Sequence, residues 1–134
     1  MNTKDMGDIS EAQIIARLLL LGKTVLQPFG DNQRYDLVID DCGKFIRIQV
    51  KTGKLKSGVI TFNTCSSTII QRGVVGKNYK GDIEFFGVYC PQNNKCYLVP
   101  ITEVSDVATK GSLRVDPTKN KQNYRCKYAR DYEI

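Results

Sequence analysis

The chain has 134 residues, 41% of them hydrophobic, and carries a formal net charge of +6 at pH 7. This length predicts one domain spanning residues 1–134, and the absence of a membrane-spanning run or signal-peptide core leads us to expect a cytoplasmic protein with no membrane partner. The absence of histidine excludes Ser-His-Asp and Cys-His catalysis, and five cysteines without Cys-x-x-Cys spacing predict reduced thiols.

The first predicted element is a helix over residues 8–21. Asp8 is its expected N-cap and Glu11 the capping-box partner, while Gly22 supplies the stop. Its apolar face is predicted to comprise Ile9, Ala12, Ala16, Leu19 and Leu20.

The rest of the chain is predicted to be mostly strands. The expected strands cover residues 23–27, 34–40, 44–51, 58–63, 83–90, 96–101 and 113–115. Between them we expect a polar segment at 64–67 and a loop at 69–81, and a basic helix at 119–132 closes the chain. This order favours a mixed α/β or α+β domain.

Positive charge is segregated along the chain. Residues 42–81 contain eight Lys or Arg and no Asp or Glu, and a second basic stretch runs from Lys119 to Arg130. Such segregation suits a polyanion such as DNA, although an ordinary solvated surface explains it equally well. The predicted DNA contacts are Arg47, Lys54, Lys56, Arg72, Lys77, Lys80, Lys119, Lys121 and Arg125.

One hairpin, residues 35–52, carries the candidate chemistry. Alternation along its second strand puts Gln49 and Lys51 on one face and Val50 on the other. A two-residue loop at Cys42 and Gly43 would place Asp36 opposite Gln49, with Lys51 one diagonal step away. A solvated strand face would explain the same pattern.

The cluster suits a hard cation and an anionic substrate. The Asp36 carboxylate can ligate Mg²⁺, and the Gln49 amide oxygen can serve as a ligand or hold a water. Lys51 can orient or deprotonate an attacking water, or stabilise charge on a phosphate. Glu11 would add a second carboxylate if the first helix packs against the hairpin.

These parts resemble the PD-(D/E)xK nuclease superfamily. The resemblance is carried by Glu11 on the first helix, by "RYDLVID" and "FIRIQVKT", and by the later "FFGVYCPQNNKCYLVPI" and "NKQNYRCKYARDYE". Within the superfamily the chain is similar to Holliday junction resolvases and to cyanobacterial intron-encoded homing endonucleases. Gln49 departs from the usual Asp or Glu, and the homing branch is similar in tolerating Gln there.

The resemblance implies an α/β, restriction-endonuclease-like core, with a mixed central sheet flanked by helices in αβββαβ order. It implies an endonuclease that hydrolyses DNA phosphodiester bonds with Mg²⁺ or Mn²⁺. The implied metal ligands are Asp36, Glu11, Gln49 and the backbone carbonyl of Val50, and Lys51 is the implied catalytic lysine.

We therefore expect site-specific, homing-type cleavage of double-stranded DNA by a homodimer or homotetramer, because cutting two strands needs two active sites. A resolvase-like nuclease acting on branched DNA is one alternative. A catalytically inactive DNA-binding module on the same fold, or an interaction protein with an incidental basic surface, are the others.

Overall fold

One helix and ten strands make up the fold, as described by a computed structural model for residues 1–116 and 126–134, apart from the side chains of 68–70, 74 and 75. The helix α1 spans Thr3–Leu20. The strands are β1 Thr24–Leu26, β2 Leu37–Asp41, β3 Lys44–Thr52, β4 Lys54–Lys56, β5 Val59–Asn63, β6 Cys65–Ile70, β7 Gly73–Asn78, β8 Phe85–Cys90, β9 Lys95–Pro100 and β10 Lys110–Arg114. Short 3₁₀ turns occupy Ile101–Glu103 and Ala129–Asp131.

Helix α1 begins earlier than predicted. Asn2 is the N-cap, and its side-chain oxygen accepts the Asp5 N–H at 2.9 Å. The prediction that Asp8 caps the helix is therefore wrong, because Asp8 lies inside it. Both sites have a polar residue followed three positions later by an acid, so the local pattern alone does not separate them.

The buried face of α1 also differs from the prediction. Ser10, Ile14 and Leu18 are fully buried, at a spacing of four residues. The predicted face is wrong in its main members: Leu19 is 56% and Leu20 83% exposed. The run of leucines at 18–21 suggests that the apolar face of the helix lies there. In the structure, α1 instead packs closely against the sheet through the side that carries Ile14.

The central sheet is mixed and has five strands in the order β1-β2-β3-β8-β9. All neighbours are antiparallel except β3 and β8, which are parallel. The predicted strands at 34–40, 44–51, 83–90 and 96–101 are thus confirmed in type, with shifted ends. Gly87 on β8 lets α1 approach closely, since a Cβ there would lie 3.2 Å from the Ile14 side chain.

The predicted αβββαβ order is wrong in its second helix. The connection from β3 to β8 consists of strands β4 to β7, so α1 is the single α-helix in the described part of the chain. Strands β10, β5 and β4 form a three-stranded sheet, and β6 and β7 form a separate two-stranded hairpin. Residues 59–70 are rich in β-branched Val, Ile and Thr, which favour strands over helices.

Two further predictions need correction. The loop expected at 69–81 and the polar segment at 64–67 are largely the β6–β7 hairpin. Of the helix expected at 119–132, residues 119–125 lie outside the described residues, and 126–132 contain a β-bridge and a 3₁₀ turn instead of an α-helix.

Each face of the central sheet has its own core. On one face α1 covers Leu37, Ile48 and Val50. On the other face the small sheet and the C-terminal segment cover Phe86 and Val88. Nowhere in residues 1–116 and 126–134 does a helix have the length and apolar character needed to span a membrane.

Candidate active site

The turn between β2 and β3 sets the register of the candidate site. Cys42 and Gly43 have φ of 53° and 88°, and positive φ at both central residues is what a tight type I′ hairpin turn requires. The Gly43 N–H also donates to the Asp40 carboxylate at 3.0 Å. Asp41 pairs with Lys44, which confirms the predicted two-residue loop and its register as far as Leu37 and Ile48, where the ladder ends before the predicted pair of Asp36 and Gln49.

The regular ladder stops just before Asp36. Its last pair is Leu37 with Ile48, and the Asp36 N–H then donates to the Ile48 carbonyl at 2.9 Å. The Asp36 carboxylate accepts the Val50 N–H at 2.9 Å, where a backbone carbonyl would otherwise continue the ladder. In a strand the N–H and C=O of one residue point to the same edge, so the Val50 carbonyl also faces the edge held by Asp36.

Glu11 reaches this edge from the helix side. Ser10 donates to the Met6 carbonyl at 2.9 Å and shares a 2.6 Å hydrogen bond with Thr52, which fixes α1 against the end of β3. The Gln27 amide, just after β1, donates to the Glu11 carboxylate at 3.0 Å. Glu11 is thus held beside Asp36 by tertiary contacts and plays no part in capping the helix.

The two carboxylates repel each other. Burial raises the pKa of Asp36, against the lowering effects of the Val50 N–H and the nearby Lys51. Burial also raises the pKa of Glu11, and the negative charge of Asp36 raises it further. Burial is thus the main reason that the charged form of both carboxyls is disfavoured at this edge, and a bound cation would favour that form.

Lys51 lies on the opposite face of β3 from α1. Its ammonium donates to the Tyr79 hydroxyl at 3.2 Å. Gln49, two residues earlier, is half-buried on the same face of β3. Lys51 and Glu11 thus approach from opposite sides of the sheet, and they converge at Asp36 because β2 leaves the edge of β3 open there.

A cavity of about 280 Å³ opens at this edge. Glu11 and Asp36 line it, together with Gln27 and Asp31 from the β1–β2 connection. Within the described ranges no three His, Cys, Asp or Glu side chains cluster closely enough to hold a metal. The carboxylates of Glu11 and Asp36 and the Val50 carbonyl are nevertheless oxygen donors of the kind that could hold Mg²⁺ or Mn²⁺.

The basic residues predicted to contact DNA fall into three groups. Arg47 and Lys80 pair with acids inside the chain, with the Arg47 guanidinium 2.6 Å from Glu84 and the Lys80 ammonium 2.7 Å from Asp106. The second group is exposed on β4 and the β6–β7 hairpin, and comprises Lys54, Lys56, Arg72 and Lys77. Lys119, Lys121 and Arg125 lie outside the described residues.

Sequence reasoning missed two residues of this region. Arg34 stacks on Tyr79 with 4.0 Å between its guanidinium carbon and the ring centroid, and it donates to Asp82. Gln27, the last residue of the strand predicted at 23–27, lies just after β1 and holds Glu11. Neither residue has a local signal, because each acts through a partner far along the chain.

Similar known proteins identify the family of this chain. A family model described as PD-(D/E)XK endonuclease matches residues 1–134. Among solved structures the chain is similar to the bacterial homing endonuclease I-Ssp6803I, with 26% identity and a TM-score of 0.78 over 99% of this chain and 89% of that one. No curated protein matches it in sequence. The full-length match shows that this chain belongs to the PD-(D/E)XK endonuclease family.

Proposed function

We propose that this endonuclease is a homing-type enzyme that cuts both strands of a specific DNA site with Mg²⁺ or Mn²⁺. The observation that carries the proposal is the Asp36 carboxylate, which replaces the strand ladder beside Val50 and lies close enough to Glu11 to raise its pKa. The similarity to a bacterial homing endonuclease over 99% of the chain favours this activity over junction resolution.

The proposed roles follow from the donor atoms. Asp36, Glu11 and the Val50 carbonyl would hold the metal, and the Gln49 amide would add a neutral ligand or orient a water. A bound divalent cation supplies Lewis-acid stabilisation of the phosphate and of the leaving oxygen. Lys51 holds its ammonium where it can orient the attacking water or stabilise charge on the scissile phosphate.

The β6–β7 hairpin is the proposed element for DNA contact. A two-stranded ribbon fits the major groove, and Arg72 and Lys77 are exposed on this one. Arg34 ties the base of the hairpin to the active-site edge, because it donates to Ser66 at 2.5 Å and to the Asn78 carbonyl at 2.7 Å. DNA held by the hairpin would therefore be positioned relative to Asp36.

Replacing Arg72 with alanine tests this surface. Loss of one phosphate contact should weaken DNA binding and reduce the slope of log affinity against log salt by about 0.9. Fluorescence anisotropy with a random-sequence duplex measures both quantities. Lys23→Ala, at an exposed lysine between α1 and β1, is the control. An unchanged slope for Arg72→Ala would remove the hairpin from the proposed interface.

Gln49→Glu should strengthen metal binding. The change restores a carboxylate at a position that Gln49 leaves neutral, and each added anionic ligand favours a divalent cation. We expect cleavage to reach half its maximum rate at a Mg²⁺ concentration about tenfold lower, equivalent to about 1.4 kcal/mol. A titration of cleavage rate against Mg²⁺ checks this, and an unchanged midpoint would place Gln49 outside the metal site.

We further propose that the protein acts as a homodimer or homotetramer. Two strands must be cut, and each chain carries one copy of the candidate site. Sedimentation of the protein with and without duplex DNA measures the assembly. A monomer that stays monomeric on DNA would contradict this part of the proposal.

A cleavage assay on DNA duplexes that were first selected for binding tests the proposed function. Random duplexes are enriched by repeated binding, then incubated with Mg²⁺ or EDTA, and the cut ends are sequenced beside a synthetic four-way junction. Homing-type activity predicts cuts in both strands of one related set of sequences with Mg²⁺ alone. Cleavage of the junction instead would indicate a resolvase, and salt-sensitive binding without any cleavage would indicate a DNA-binding module.

A further inference from the structure

Tyr79 is a buried residue that lies next to Lys51 in the candidate active site. It lies just after β7, in the connection to β8, and is only 4% exposed. Its hydroxyl is nevertheless not enclosed by apolar groups, because it accepts a hydrogen bond from the Lys51 ammonium at 3.2 Å. A buried ring thus presents one polar atom to the proposed catalytic lysine.

The ring itself is held from several sides. The Arg34 guanidinium stacks on its face at 4.0 Å, and Phe86 meets it edge-on with 5.6 Å between ring centroids. Arg34 is in turn fixed by hydrogen bonds to Asp82, Ser66 and two backbone carbonyls of the hairpin base. Tyr79 therefore has little freedom to move its hydroxyl.

Lys51 is the flexible partner of this pair. A lysine side chain is a flexible four-carbon stem and loses substantial conformational entropy when its ammonium is held in one place. Its nitrogen lies 3.2 Å from the Tyr79 oxygen but 5.0 Å from the ring centroid, so it sits beside the hydroxyl end of the ring instead of over its centre. Lys51 is therefore held by a directional hydrogen bond to the Tyr79 hydroxyl, whereas Arg34 stacks on the face of the ring.

We propose that Tyr79 is a positioning residue that holds the Lys51 ammonium at the active-site edge, an inference that rests on the proposed role of Lys51. In this proposal Tyr79 acts through its contact with Lys51 and not by binding metal or DNA itself. Its effect is to keep Lys51 within reach of the scissile phosphate, and displacement of a catalytic group by about 1 Å can cost about 100-fold in rate.

The first test is Tyr79→Phe, which keeps the ring against Arg34 and Phe86 and removes only the hydroxyl. We expect the single-turnover cleavage rate on the enriched duplex to fall about tenfold or more, with DNA affinity unchanged within about twofold. The matched control is Tyr97→Phe, which removes the hydroxyl of a 1% exposed tyrosine in the same core, one that accepts from Asn93 at 3.0 Å. That control should leave the rate unchanged.

Non-additivity separates positioning from a structural effect. In a Lys51→Met background, Tyr79→Phe should cause no further loss of rate, because the group it positions is gone. A purely structural role would lower the rate equally in both backgrounds, and this result would overturn the inference. So would an unchanged rate for Tyr79→Phe in the presence of a strong Lys51→Met defect.

A measurement without cleavage tests the contact itself. Chemical denaturation midpoints of wild type, Tyr79→Phe, Lys51→Met and the double variant should be non-additive if the hydrogen bond forms in solution. Additive midpoints would overturn the inference whatever the cleavage result. If Lys51→Met left cleavage unchanged, the proposed catalytic role of Lys51 would fail first, so the two failures are distinguishable.

Discussion

Replacing Asp36 with asparagine is expected to abolish metal-dependent cleavage while making the metal-free protein more stable at neutral pH. The loss of a metal-ligating carboxylate should cost several kcal/mol of transition-state stabilisation, about 1000-fold in rate. The stabilising effect follows from the raised pKa of Asp36, which means that folding disfavours the charged carboxylate. The asparagine oxygen can still accept the Val50 N–H.

The pH dependence has a definite sign. An acid with a raised pKa contributes stability that is fully present below its unfolded pKa and is lost as pH rises through its folded pKa. Asparagine has no such loss, so the stability advantage of Asp36→Asn in EDTA should grow as pH rises through the carboxyl range and vanish in strong acid. The negative charge of Asp36 also raises the pKa of Glu11. Asp36→Asn removes this repulsion, which should add to the stability advantage of the variant.

Thermal unfolding with EDTA and with Mg²⁺ measures these effects. Mg²⁺ should raise the melting temperature of wild type by mass action and leave that of Asp36→Asn unchanged. Asp40→Asn makes the same chemical change four residues later, on β2, at a carboxylate that accepts from the Gly43 N–H, and should keep normal cleavage. A variant that is less stable than wild type in EDTA at neutral pH would contradict the inference that folding disfavours the charged Asp36 carboxylate.

Lys51→Met is expected to lower the cleavage rate about 100- to 1000-fold, while leaving DNA affinity and the Mg²⁺ requirement close to those of wild type. Methionine keeps much of the apolar stem of this half-buried side chain and removes only the ammonium. Single-turnover kinetics at saturating enzyme separate this loss from weaker binding. Lys23→Met, an exposed lysine after α1, is the control.

A second substitution at this position distinguishes between the proposed roles of Lys51. Arginine keeps the positive charge but cannot be deprotonated in a protein, so it cannot act as a base. Partial activity in Lys51→Arg would therefore favour electrostatic stabilisation of the phosphate. Full activity in Lys51→Met would remove Lys51 from the mechanism altogether.

The hairpin at residues 35–52 was predictable because its information is local. Strict alternation along β3 and a two-residue turn that needs positive φ at Cys42 and Gly43 leave one register, and the structure has that register. The same reasoning failed for α1, where two equally good capping patterns lie six residues apart in Asn2 and Asp8. It failed again at 64–81, where glycines suggested a loop although the segment pairs with itself as β6 and β7.

The amino-acid sequence by itself determined the composition of the candidate site. Asp36, Gln49 and Lys51 share one hairpin, and strand periodicity and turn chemistry act over a few residues, so local patterns alone place Gln49 and Lys51 on one face of β3 and Asp36 near them. The excess of basic residues and the absence of histidine likewise narrow the possible chemistry through composition alone.

Only the tertiary structure decided how the site is completed. The docking of α1 through Ser10 and Thr52 brings Glu11 to Asp36, and the long connection from β3 to β8 brings Tyr79 to Lys51. The tertiary structure also pairs Arg47 and Lys80 with acids, whereas other basic residues, such as Arg72, stay exposed. These contacts join residues that lie 25 (Glu11 and Asp36) to 42 (Ser10 and Thr52) positions apart. They depend on which faces pack together, which no local pattern in the sequence encodes.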